Sequence, residues 1–205
     1  SVLEGTLVEP MAVVLHSLAL APPALGDTAV VLGGGPIGLL TTAALLRHGV
    51  KRVWTAEPVP ERRELAQAMG AAAVLDPGRD DIVAAVMADT GGRGVDLVFD
   101  CASYPGCEDV ALQVATSGGH VVFTGIPSAS RVALDVHLWR RKELQVHQVR
   151  RSNHEGAAAR DLLAGEARFF APLITHQRPL ESIADAFALV ESRAEGVGKL
   201  VIRLS

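Results

Sequence analysis

Gly33-Gly34-Gly35-Pro36-Ile37-Gly38 fits the spacing G-x-G-x-x-G, a pattern that binds through its backbone and not through a reactive side chain. The first glycine lets a chain reverse at a strand end, the second lets a phosphate reach the backbone, and the third lets the next helix pack close. The free N–H groups and positive end of that helix would then face the phosphate. Glycines also mark plain strand–helix turns, so the spacing alone leaves that reading open. Glu57 stands about 20 residues further on, where a carboxylate accepts hydrogen bonds from ribose hydroxyls. It would also repel a 2′-phosphate, so NAD is expected rather than NADP. Arg62 and Arg63 lie close by. Either could pair with a 2′-phosphate, or both could belong to a solvated helix face.

These residues need a strand before the glycines and a helix after them. Ala29 to Leu32 is a short apolar run of the kind a buried strand shows, and Leu39 to His48 is apolar without Gly or Pro. The pattern repeats along the chain. Strands are expected at Val30–Leu32, Val53–Ala56, Ala73–Leu75, Val95–Phe99, His120–Thr124 and Glu143–Val149, with shorter ones at Arg131–Leu134, Leu173–His176 and Lys199–Arg203. Helices are expected at Met11–Leu20, Ile37–Arg47, Glu61–Met69, Asp80–Thr90, Pro105–Ala115, Glu155–Leu163 and Leu180–Glu191. Ser1 to Pro10 reads as an extended arm or strand. Alternation of this kind predicts an α/β protein: a doubly wound parallel sheet in three α/β/α layers, the Rossmann fold. Crossovers of one hand would bring Gly33, Glu57, Cys101 and Gly125 to one edge of the sheet.

The chain has 205 residues, 49% of them hydrophobic and 4% aromatic, with 20 glycines and a net charge of −4. That is long enough for one sizeable core. No basic run marks a nucleic-acid surface; the nearest is Arg140-Arg141-Lys142. No apolar run is expected to span a membrane, and no signal peptide is read. Cys101 and Cys107 cannot build a disulfide framework, which points to a cytoplasmic setting.

Taken together, LVEPMAVVLH (residues 7–16), GDTAVVLGGGPIGLL (26–40), AEPVPERRELAQAMGA (56–71), GVDLVFDCAS (94–103), GGHVVFTGIP (118–127), RKEL (141–144) and, near the end, ITHQRPLESIADAF and GVGKLVI carry a resemblance. The chain resembles the cofactor-binding half of zinc-type medium-chain alcohol and polyol dehydrogenases, nearest the sorbitol and threonine dehydrogenase branch. The resemblance implies hydride transfer between a secondary alcohol or polyol and NAD, with zinc in the intact enzyme. It implies that Gly33, Gly35, Pro36, Ile37 and Gly38 hold the pyrophosphate and Glu57 the ribose. Arg62 would lie near the adenine. Cys101, Thr124, Gly125 and Ile126 would line the nicotinamide, and Val149 and Arg150 would meet cofactor and substrate. Arg151 stands where polyol dehydrogenases often carry Tyr, a departure that bears on the substrate. Lys199 is a further candidate for a phosphate contact, or a solvated residue at the start of the last strand.

Glu9 lies in the segment that the family places beside zinc, so it is the metal candidate here; a solvated Glu before Pro10 is the other reading. His16 reads as a core histidine. The family's barrel-like catalytic domain, with its zinc-binding Cys and His, has no counterpart in residues 1–205. Residues 1–25 would be an arm and helix joining that domain, residues 26–205 the NAD-binding domain, and 180–205 would return toward the catalytic part. No catalytic residue is assigned, and turnover by the chain alone is not expected. A homodimer or homotetramer pairing through Ser130 to Val149 is implied. Two alternatives stand beside this reading: a zinc-free NADPH quinone or enoyl reductase of the same superfamily, and a non-catalytic dinucleotide-binding module. A methyltransferase-like ligand binder would share only the glycine turn.

Overall fold

A computed structural model describes residues 2–192 and 194–204. In chain order the elements are α1 (Val2–Gly5), α2 (Val8–Leu20), β1 (Thr28–Leu32), α3 (Pro36–Arg47), β2 (Arg52–Ala56), α4 (Pro60–Ala68), β3 (Ala73–Leu75), α5 (Ile82–Asp89), β4 (Val95–Asp100), α6 (Cys107–Val114), β5 (Ala115–Phe123), α7 (Val136–Lys142), β6 (Gln145–Gln148), α8 (Gly156–Gly165), α9 (Ala167–Phe170), β7 (Ile174–Pro179), α10 (Ile183–Ser192) and β8 (Lys199–Arg203).

The strands β1 to β6 form one parallel sheet in the order β3-β2-β1-β4-β5-β6. The order reverses between β1 and β4, the arrangement of the doubly wound dinucleotide fold. The central strands are buried on both faces, which is why TAVVL and VDLVFD read as continuous apolar runs. One core packs α2, α3, α4 and α8 on one face, around Leu39, Leu40, Phe99 and Val122. The other packs α5, α6 and α7 on the opposite face, around Trp54, Val98, Leu112 and Val121. β7 and β8 pair in a separate two-stranded parallel sheet, and Val197, just before β8, accepts a hydrogen bond from Arg62 of α4.

Several expected elements differ. Residues 2–5 and 8–20 are helical, so the extended arm expected over Ser1–Pro10 is not formed; Ser1 itself lies outside the described residues. Pro10 falls in the first turn of α2, where the N–H it lacks has no partner within the helix. Arg131–Leu134 forms no strand. Ser117–Gly119 does not precede β5 but lies within it, as a bulge between the pairs Val95–Ala115 and Leu97–His120. α7 and α9 were not expected, and Gln145–Gln148 is shorter than the strand expected over Glu143–Val149. Leu3–Leu20 is in fact long and apolar enough to cross a membrane by length and composition. Its Leu7, Met11, Val14 and Leu18 nevertheless pack into the core against the sheet, as a buried core helix does.

Candidate functional site

β1 ends at Leu32, and the glycine turn reverses the chain into α3. Gly33 adopts φ +101°, a left-handed conformation that a side chain disfavours. Its N–H donates to the Ala56 carbonyl at 2.7 Å, tying the turn to β2. A Cβ on Gly38 would lie 1.8 Å from the Gly33 carbonyl oxygen, so only glycine lets α3 sit this close to β1. A Cβ on Gly35 would meet nothing within 4 Å. That open space is where a phosphate can reach the backbone. No side chain caps the N-terminus of α3, which starts with Pro36. Its free N–H groups and positive dipole end are therefore available to an anion.

Glu57 follows β2 and is 4% exposed. One carboxylate oxygen accepts the Gly34 N–H at 2.7 Å and the other the Val59 N–H at 3.0 Å. A carboxylate has about four lone-pair positions, so each oxygen retains room for a ribose hydroxyl. Glu57 thus braces the glycine turn as well as facing the cleft. Arg63 is committed elsewhere: it donates to the carbonyls of Glu57 and Pro58 at 2.7 Å each and pairs with Asp76 at 3.3 Å. Arg62 donates through Nε to the Val197 carbonyl at 2.7 Å and lines the cleft.

That cleft, of about 550 Å³, runs along the C-terminal ends of β1 to β4. Gly33, Gly35, Glu57, Arg62 and Cys101 come together in its wall, facing Tyr104 and Pro105. Thr124, Ile126, Val149, Arg150 and Arg151 do not line it. They sit at the ends of β5 and β6, with Ile126 93% exposed and Arg150 and Arg151 exposed. Gly125 lines a second, smaller cleft of about 280 Å³ with Arg131 and Gln148. Lys199 is half-buried at the start of β8 and is not in either wall.

Asp100, which sequence reasoning passed over, organises the loop after β4. Its carboxylate accepts the N–H groups of Ala102 and Ser103 at 3.0 and 2.9 Å, and its carbonyl accepts those of Thr124 and Gly125 at 2.9 Å each. Burial raises its carboxyl, with Glu108 adding to the effect. The signal was an acidic residue closing the buried run VDLVFD. Burial pushes the thiol of Cys101, beside it, up to about 12 despite the contact with the Thr41 hydroxyl, and this disfavours a nucleophilic role. The thiolate that a nucleophile needs is thus strongly disfavoured at pH 8, where a free thiol is partly ionised. Iodoacetamide at pH 8 should therefore leave Cys101 unmodified over the time it alkylates glutathione completely; mass spectrometry of the tryptic peptide checks this.

Glu9 is exposed in the first turn of α2. Among the described residues no group of three or more His, Cys, Asp and Glu is placed to hold a metal ion. A zinc site needs four ligands, or three and a water. These residues alone therefore do not fit a resident zinc.

Residues 36–165 match the family of zinc-binding dehydrogenases. The chain is 33% identical over 202 residues to 2-dehydro-3-deoxy-L-galactonate 5-dehydrogenase of Pseudoalteromonas atlantica, covering 97% of this chain and 58% of that protein. It is 28% identical over 183 residues to sorbitol dehydrogenase of Bacillus subtilis, covering 89% and 52%. A solved zinc-binding dehydrogenase from Sinorhizobium meliloti, bound to NADP, superposes with a TM-score of 0.89 at 30% identity, covering 98% of this chain and 59% of that one. The chain thus spans a little over half the length of each of these three proteins.

Proposed function

The chain belongs to the zinc-binding dehydrogenase family, and from that membership we propose that it is the NAD-binding half of an alcohol or polyol dehydrogenase. The observation that carries the reading is the cleft at the strand ends, where Gly33, Gly35, Glu57 and Arg62 share one wall. Gly33 to Gly38 would hold the pyrophosphate at the uncapped start of α3. Glu57 would accept from the adenosine ribose, and its charge favours NAD over NADP. Arg62 is the cation placed to oppose that preference, since Arg63 is held by Asp76 and two carbonyls. The ends of β5 and β6, with Thr124, Gly125, Ile126, Val149 and Arg150, would receive the nicotinamide, and Arg150 and Arg151 the substrate side.

The reaction proposed for the longer protein is reversible hydride transfer between a carbinol carbon and C4 of the nicotinamide, which the cofactor itself supplies. The task of this chain is to bind the cofactor, orient it and keep water from it. Glu9 would contribute at most one ligand to a metal site completed elsewhere. Glu57 argues against the NADPH-dependent reductase alternative, and the dehydrogenase relatives do not favour it.

Leu180, Ile183, Phe187 and Val190 are exposed by 46, 40, 71 and 45%, and the last three recur along one face of α10. This stripe supports the reading that residues 180–205 meet the remaining half of the longer protein. Phe187→Asp is expected to leave the stability of the chain within about 0.5 kcal/mol of the parent, as for a surface change, while raising its solubility. A large loss of stability would show that the stripe belongs to the chain's own core. The open edge of β6 supports a homodimer, to be read by light scattering. The free thiols support a reducing, cytoplasmic setting.

The reading is tested by NADH fluorescence. Addition of the chain should enhance the nicotinamide emission, and ADP-ribose should reverse the enhancement. No change in emission, with no binding by calorimetry, would refute it.

A further inference from the structure

We propose that His16 and Ser17, adjacent residues of α2, are positioning residues for the nicotinamide half of the cofactor, acting on the two loops that follow β5 and β6. The inference rests on the NAD-binding reading above. A sheet of order β3-β2-β1-β4-β5-β6 receives one nucleotide on each side of its switch point. The cleft with Glu57 and Arg62 lies along β1 to β4, which leaves the ends of β5 and β6 for the second nucleotide. What stands there is loop, and loops hold a ligand only as well as they are themselves held.

α2 supplies the anchorage. It lies on one face of the sheet, packed against α3 and α8. Ser17 is fully buried, donates to the Val13 carbonyl at 2.9 Å, and its hydroxyl lies 3.3 Å from that of Thr124, the first residue beyond β5. His16 places Nδ1 3.0 Å from a carboxylate oxygen of Glu155, 139 residues away, at the start of α8. The other Glu155 oxygen accepts the N–H groups of Asn153 and His154 at 2.6 and 2.9 Å. One carboxylate therefore ties α2 to two backbone points of the loop after β6.

Both side chains of this contact are largely buried, at 14 and 19% exposure. Burial would raise the Glu155 carboxyl, but His16 and the backbone N–H groups hold it down at about 2, so it stays ionised at neutral pH. The same loop contains Arg151 at φ +61°, a conformation that a residue with a side chain keeps only when its surroundings impose it. At its other end the Val149 N–H donates to the Phe123 carbonyl at 3.0 Å. Through one pair of neighbouring side chains, a single helix thus reaches both loops of the second half-site.

The test separates the two ends of the cofactor. The full chain is titrated with NADH and with ADP-ribose, which lacks the nicotinamide. His16→Ala should weaken NADH by roughly five- to tenfold, the effect of one hydrogen bond, and leave ADP-ribose within about twofold. His16→Asn, whose amide can stand near the Nδ1 position, should recover most of the loss. Glu155→Gln, which removes the charge from the other side of the contact, should repeat the selective loss and serves if His16→Ala does not fold. Equal weakening of both ligands would mean a general structural role and would overturn the proposal, as would unchanged NADH affinity or no rescue by Asn. Failure of the parent chain to bind either ligand would instead overturn the NAD-binding reading itself.

Discussion

Replacing Gly38 by alanine should abolish NAD⁺ binding and destabilise the chain together. The added Cβ would lie 1.8 Å from the Gly33 carbonyl oxygen and 3.3 Å from a Val31 methyl. The backbone oxygen cannot rotate away as a side chain would, so α3 must lift from β1 or the turn must open. Overpacking of this kind costs about 3 kcal/mol or more, which for a chain this size is a fall of roughly 6–12 °C in thermal midpoint. Gly35→Ala provides the contrast. Its methyl would touch nothing in the protein within 4 Å, so the midpoint should stay within about 1–2 °C of the parent. The methyl would occupy the space through which a phosphate reaches the backbone, and binding should fall by about a hundredfold or more, the loss of two charge-assisted hydrogen bonds. Differential scanning fluorimetry beside calorimetry reads both quantities. If Gly35→Ala bound NAD⁺ normally, the phosphate would not lie at this turn.

Glu57→Ala should cost both stability and cofactor choice. The carboxylate is buried and accepts the N–H groups of Gly34 and Val59. Removing it strands two donors near the base of the glycine turn, at about 1–3 kcal/mol for each that finds no water. NAD⁺ affinity should fall at least tenfold, since the ribose loses its acceptor and the turn its brace. NADP⁺ should lose less, because the same substitution removes the repulsion of its 2′-phosphate and leaves Arg62 in the wall. The ratio of the two dissociation constants should therefore move toward or past unity. A loss of equal size for both cofactors would mean that Glu57 acts only on the turn.

Much of the architecture was legible because central parallel strands advertise themselves. TAVVL, RVWTA and VDLVFD are buried on both faces and read as strands from composition. The glycine turn was legible because its backbone demands glycine: a side chain is strained at Gly33 and blocked by the Gly33 carbonyl at Gly38. The margins of the sheet were less so. Arg131–Leu134 has strand-like residues but no partner with which to pair, and β6 carries Gln and His because one of its edges is open. The first ten residues differ because Pro10, expected to close an extended arm before a helix at Met11, falls inside the first turn of a helix that begins at Val8. Five candidate site residues, Gly33, Gly35, Glu57, Arg62 and Cys101, share one wall; Pro36, Ile37 and Gly38 form the first turn of α3 behind it, and Thr124, Gly125, Ile126, Val149 and Arg150 sit on loops beyond it. The links that organise those loops join residues far apart in the chain, Ser17 with Thr124 and His16 with Glu155. No local pattern announces such a contact. Asp100 was the exception, a buried acid closing an apolar strand, and could have been found.

The central claim is that this chain is a dinucleotide-binding half with a preference for NAD. Isothermal titration of the purified chain with NAD⁺ and NADP⁺ tests it most directly. The account predicts one site per chain, with NAD⁺ bound roughly tenfold or more tightly than NADP⁺, the discrimination of one buried carboxylate. Tighter binding of NADP⁺ would show that Arg62 outweighs Glu57, and the absence of heat with either cofactor would contradict the claim outright.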